Sequence, residues 1–106
     1  MKNDFKVDSV QLFEKLTCYC PLGKDYYHAE IEIVFEYDEE AFDFIEVHQE
    51  ILNLNGKSMI VEDLVDRVYK IMIKYKPLMV SVEAKVESNV HCKVVVTKSG
   101  GNYSYD

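Results

Sequence analysis

The sequence predicts an α+β domain in which two antiparallel hairpins form one sheet and a pair of helices packs on one of its faces. Three observations carry this. Residues 29–37 alternate apolar and polar side chains, residues 40–75 repeat their apolar side chains at helical spacing, and residues 79–97 return to alternation. A period of two marks half-buried strands, and a period near 3.6 marks amphipathic helices. The resulting order is strand, strand, helix, helix, strand, strand. Two hairpins flanking a helical pair imply an antiparallel sheet with both helices on one side. A ferredoxin-like arrangement needs strand-helix-strand units, which this order lacks.

Each element has its own signature. In the first predicted strand, residues 10–19, Leu12, Leu16 and Cys18 share a face, and Pro21, Leu22, Gly23 and Lys24 read as the turn that follows. The second strand, 29–37, puts Ile31, Ile33 and Phe35 on one face and Glu30, Glu32, Val34 and Glu36 on the other. Residues 40–53 predict a helix whose apolar stripe is Ala41, Phe44, Ile45, His48, Ile51 and Leu52, which makes His48 a packed core residue. Asn53, Asn55 and Gly56 stop it, because Asn and Gly tolerate a left-handed backbone. Ser58 then caps a second helix with the stripe Ile60, Leu64, Val65, Val68, Ile71, Met72 and Tyr75, ended by Pro77. Residues 79–87 and 90–97 form the last hairpin around Ser88 and Asn89, with Cys92 in line with Val90, Val94 and Val96 and therefore in the core. His91 falls on the surface of that strand, and residues 99–106 read as a loosely held tail. A sheet of this kind leaves its edges open, so side-by-side assembly of copies is expected.

Composition bounds the function. At 106 residues the chain is read as one domain, 1–106, and no apolar run approaches the length of a membrane span. The polar start, with no apolar signal segment, and three cysteines that cannot all pair point to a reducing cytoplasm. Nineteen acids against twelve bases give a net charge of −7, which excludes a general nucleic-acid binder of the basic type. Cys18 and Cys20 with distant His residues match no usual zinc spacing, so no metal is expected. Gly100 and Gly101 lack a following helix and make no phosphate loop.

The segment Leu16-Thr17-Cys18-Tyr19-Cys20-Pro21 resembles the nucleophile strand of the 7-cyano-7-deazaguanine reductase-like (QueF-like) family, in which a Cys-Pro pair ends the first strand. The spacing from Cys20 to Ile31-Glu32-Ile33 is similar without a gap. Glu62-Asp63-Leu64-Val65-Asp66-Arg67-Val68 resembles the family's second-helix motif, which begins with a base-gripping Glu, and Ser99-Gly100-Gly101 is similar to its close. The likeness runs from about Val10 to Gly101, and its weight lies in order and spacing rather than in any one motif. It implies a tunnelling fold, whose protomers join their sheets into a barrel and bind ligands between subunits. The family's reductases carry lysines for NADPH in a stretch that here reads Glu46-Val47-His48-Gln49-Glu50-Ile51. Glu46 remains, but His48 and Ile51 replace the lysines, so the resemblance is to the archaeosine amidinotransferase branch, which needs no redox cofactor. That branch adds ammonia to the nitrile of the modified base in tRNA.

The resemblance assigns Cys20 as the nucleophile that forms a thioimide and Glu62 as the carboxylate on the base, with Glu46 and His28 as further substrate contacts. A thiolate suits attack on a nitrile carbon, and a carboxylate accepts two hydrogen bonds from the N–H edge of a guanine-like base. The proton donor is less direct. The family's Asp, seven residues after the cysteine, is Tyr27 here, and its His before the Glu is Val61. Asp25 is the nearest acid that can serve instead. Arg67, Lys70, Lys74 and Lys76 lie on or just after the second helix and form a candidate basic stripe for tRNA, or simply a solvated helix face. Two other readings stay open: a binding protein for a deazaguanine or pterin-like base that has lost the chemistry, and a pterin enzyme, although the metal ligands such cyclohydrolases use are missing.

Overall fold

The computed structural model describes residues 1–5, 7–87 and 92–101. Four strands and two helices run in the predicted order: β1 (Val10–Cys20), β2 (Asp25–Glu36), α1 (Phe44–Leu52), α2 (Val61–Ile73), β3 (Met79–Glu87) and β4 (Lys93–Gly101). The strands form one sheet in the order β1-β2-β3-β4, with every neighbouring pair antiparallel. Strand β2 starts four residues earlier than alternation alone indicates, because the turn after Cys20 is tight. Lys24 takes a positive φ of 56°, and its N–H reaches back to the Cys20 carbonyl at 2.7 Å.

The pleat sorts the core. Leu16 and Cys18 on β1, Ala29, Ile31, Ile33 and Phe35 on β2, and Val80, Val82, Ala84 and Val86 on β3 all point to the helix side and are buried. From α2 they meet Leu64, Val65, Val68, Tyr69 and Met72, and from α1 Val47 and Ile51. Each fully buried aliphatic or aromatic side chain contributes about 1.5–3 kcal/mol to this packing. Phe42, Phe35, Tyr37 and Tyr75 close one end of the core as an aromatic cluster with ring centroids 4.9–5.3 Å apart.

Six expectations are corrected. The helix α1 is shorter than 40–53, because Asp43 caps it by accepting from the Ile45 N–H at 2.9 Å. Its buried face is Val47 and Ile51, whereas Phe44, Ile45 and Leu52 are exposed. His48 therefore sits at the edge of the core, half exposed, with Nδ1 2.7 Å from a Glu14 carboxylate oxygen. Glu14 shares the inward face of β1 with Leu16 and is buried, so the pair brings a carboxylate into the apolar layer and satisfies it there. Ser58 does not cap α2. The N-cap is Ile60, which makes no side-chain cap bond, because residues 55–59 are drawn onto β1 instead. Cys92 is exposed and precedes β4 rather than belonging to it. Finally, Ser99, Gly100 and Gly101 are not a loose tail; they pair with Ser81, Val80 and Met79. The predicted turn at Ser88 and Asn89, together with Val90, His91 and residues 102–106, lies outside the described residues.

The helices are also tied to each other. Glu50 on α1 accepts from the Tyr75 hydroxyl and from Lys74 Nζ, and these bonds hold its carboxyl below the usual carboxylate range while pushing the Tyr75 phenol up to about 12. A depressed carboxylate contributes stability that is present above its unfolded pKa and lost as pH falls through the folded value. Replacing Glu50 with Gln is expected to lower Tm by about 3–6 °C at pH 7, and the gap between the two proteins should close as pH falls from about 5 to 3. Replacing His48 with Ala leaves Glu14 buried without its partner and is expected to cost about 2 kcal/mol in urea unfolding. Adding Glu14→Leu to that variant should recover most of the loss.

Candidate active site

The site grows from the end of the first hairpin. In the β1–β2 register Cys20 pairs with Asp25 and Cys18 with Tyr27. Alternation puts all four side chains on the helix side of the sheet, and directly opposed residues have Cβ atoms about 4.5–5.5 Å apart. Cys20 and Asp25 are therefore immediate neighbours, a placement that rests on β2 beginning at Asp25. The Gly23 N–H points at Cys20 Sγ at 3.4 Å. Cys20 is partly exposed. Cys18 is fully buried, with Sγ 3.5 Å from the Leu54 carbonyl, and burial pushes its thiol above the usual range. The two thiols differ in exposure although only one residue separates them.

The opposite wall comes from the start of α2. The segment before it is laid along the outer edge of β1: Gly56 N–H donates to the Thr17 carbonyl at 2.7 Å, Tyr19 N–H to Lys57 at 3.0 Å and Met59 N–H to Tyr19 at 2.9 Å. Helix α2 consequently starts beside the hairpin end, and Ile60, Val61 and Glu62 face Cys20 and Asp25 across a cavity of about 650 Å³. Val86 and Val94 add an apolar floor from β3 and β4. Glu62 is exposed, and its carboxylate makes no hydrogen bond or ion pair among the described residues. The uncapped N-terminus of α2 adds the positive end of the helix dipole to the same cavity.

Of the residues singled out in the sequence, the cavity thus gathers Cys20, Asp25, Glu62 and, at its rim, His28. Alternation turns the His28 ring to the other face of the sheet, where Nδ1 lies 2.7 Å from Thr17 Oγ1. Glu46 stands apart, exposed in the first turn of α1 and outside the cavity lining. Tyr27 lines the cavity too, but its hydroxyl donates to the Met59 carbonyl at 2.7 Å, and burial, reinforced by Cys18, pushes the phenol far above its usual range. A phenol in that state is a poor acid. The position of Met59 could not be foreseen, because it depends on strand-edge bonds between segments about 40 residues apart.

The candidate basic stripe is largely neutralised within the chain. Arg67 forks onto Asp63, Lys70 meets Asp66 at 2.8 Å, and Lys74 meets Glu50 at 2.5 Å. No group of three or more metal-ligating side chains occurs among the described residues, and no described helix is long and apolar enough to cross a membrane.

No family model and no curated protein matches the chain. Solved structures do. The archaeosine synthase QueF-Like in its apo form superposes with a TM-score of 0.80 at 17% identity, covering 92% of this chain and 97% of that one. A chain assigned as the dihydroneopterin aldolase FolB of Vibrio cholerae O1 biovar El Tor superposes with a TM-score of 0.73 at 12% identity, over 92% of this chain and all of the other. The chain has the tunnelling fold of these proteins, as the strand order and the resemblance implied.

The contrast between the thiols is directly measurable. Iodoacetamide is expected to label Cys20 and Cys92 in the native protein and to reach Cys18 only after denaturation, as read by peptide mass spectrometry.

Proposed function

We propose that this chain is an amidinotransferase that adds ammonia to the nitrile of a 7-cyano-7-deazaguanine base carried in tRNA, giving archaeosine. The observation that carries this reading is the direct pairing of Cys20 with Asp25 on the sheet face turned toward Glu62. Nucleophile, proton carrier and base-binding carboxylate thereby line one cavity.

The chemistry balances without a redox partner. Asp25 takes the Cys20 proton, and the thiolate sulfur attacks the nitrile carbon. One π pair of the triple bond moves to nitrogen, which takes the proton back from Asp25 and leaves a thioimide. Ammonia then adds to the same carbon and passes one proton to Asp25, the C–S bond breaks with its electron pair returning to sulfur, Asp25 returns the proton to that sulfur, and the amidine departs. Glu62 holds the base by accepting two N–H bonds while the nitrile points at Cys20. The apolar walls from Val61, Val86 and Val94 suit the flat face of such a base. Nitrile becomes amidine with no change of oxidation state, consistent with a helix that lacks the cofactor lysines. The stretch of the β1 edge before Thr17 and the outer edge of β4 suit the joining of protomers into a ring in the cytoplasm.

A second reading, binding without turnover, draws on Tyr27, whose proton is committed to Met59, and on the apolar Val61. Intact-protein mass separates the two. Incubation with 7-cyano-7-deazaguanine, free or in tRNA, is expected to give an adduct of the full base mass on wild type and none on Cys20→Ala. Asp25→Asn should slow adduct formation about 100-fold, and Glu62→Gln should weaken base affinity about tenfold. Binding with no adduct from either substrate would establish the second reading.

A further inference from the structure

Met59 holds the two sides of the site together. Its side chain is buried, its N–H is tied to the Tyr19 carbonyl of β1 at 2.9 Å, and its carbonyl accepts from the Tyr27 hydroxyl of β2 at 2.7 Å. Both backbone groups of one residue are therefore anchored to two different strands. The next residue, Ile60, is the N-cap of α2, extended at φ −72° and ψ 160°, and its carbonyl accepts the first intrahelical bond, from the Leu64 N–H at 3.1 Å. An N-cap usually steadies the first turn through its own side-chain oxygen, and Ile60 has none. The direction in which α2 sets out, and with it the place of Glu62, is transmitted through the backbone from Met59.

We infer that Tyr27 is a positioning residue for Glu62: by holding the Met59 carbonyl, its hydroxyl fixes the backbone from which the base-gripping carboxylate is presented. This rests on the reading of Glu62 as that carboxylate. From the Met59 carbonyl the chain reaches Glu62 through Ile60 and Val61, a path with little slack because Val61 already belongs to the helix. The ring packs against the core, so the hydroxyl itself is well placed. The phenol, raised by burial, keeps its proton across any ordinary assay pH and remains a donor throughout. A position that carries an acid in the resembling family here acts through the geometry of the opposite wall.

The test is Tyr27→Phe, which keeps the ring and removes the donor, read in two ways on the intact chain. In the free protein, amide exchange at Leu64 and Val65 should quicken about tenfold, while exchange at Ile33 and Val82 in the sheet stays as in wild type. With 7-cyano-7-deazaguanine as probe, the Kd should weaken about tenfold, while the rate of Cys20 adduct formation at saturating base changes less than about twofold. In a Glu62→Gln background the same substitution should weaken binding less than about twofold further, since the residue it positions is already disabled. Unchanged exchange at Leu64 and Val65 overturns the tether, and so does quickening spread equally through the sheet. Additive losses of affinity overturn the link to Glu62. A wild type that binds no base, yet shows the local exchange effect in Tyr27→Phe, overturns the role given to Glu62 and leaves the tether standing.

Discussion

The turn between the two helices is bonded to the sheet rather than left in solvent, and much of the site depends on that contact. Asn55 accepts from the Thr17 N–H through its side chain at 2.8 Å, Gly56 and Met59 donate to β1 carbonyls, and Lys57 accepts from Tyr19. Each such bond contributes a modest net amount, about 0.5–1.5 kcal/mol, but together they satisfy strand-edge groups that would otherwise need water or another chain. Gly56 makes the path possible with φ at +80°, a conformation that costs other residues strain. Move this turn, and α2 would start elsewhere on the sheet. Cys20 and Glu62, 42 residues apart in the chain, would then no longer share a cavity.

The opposite end of β1 uses a polar contact for a related purpose. Glu14 and His48 join β1 to α1 within an otherwise apolar layer. A buried polar contact seldom adds much stability over well-packed hydrophobic residues, yet losing one partner of a buried carboxylate is costly. The pair fastens α1 to β1 at the edge of the core. Val47 and Ile51 lie inside, Phe44, Ile45 and Leu52 lie outside, and His48 reaches Glu14 from between the two faces.

Those two faces bear on what could be read from the sequence. Helix α1 spans only nine residues, too few turns for periodicity to choose between two overlapping apolar faces. Helix α2 has thirteen residues and one dominant stripe, and its core positions Leu64, Val65, Val68 and Met72 were legible. The strands were equally plain in their middles, where alternation records burial. Their ends were not, because end residues belong to a strand through backbone pairing alone. Asp25 joins β2, and Ser99 to Gly101 complete β4, without any hydrophobic mark. Cys92 shows the converse: its in-line spacing suggested burial, but β4 begins only at Lys93 and Cys92 is exposed. Within the site, Cys20 and Glu62 were visible as candidates, while the cross-strand contact of Cys20 with Asp25 and the grip of Tyr27 on Met59 required the register.

The occupied portion of β1 also acts as a ruler. Thr17 and Tyr19 have already spent their outward N–H and C=O groups on the helix-connecting turn, while Gln11, Phe13 and Lys15 have no backbone partner on that side among the described residues. A strand added from outside can climb the edge only as far as that turn and must stop there, whatever its own length. Slippage by two residues toward Cys20, the smallest shift that preserves the facing of side chains, runs into backbone that is already bonded. The same few hydrogen bonds that assemble the cavity thus set an upper limit on the register any neighbouring strand can take.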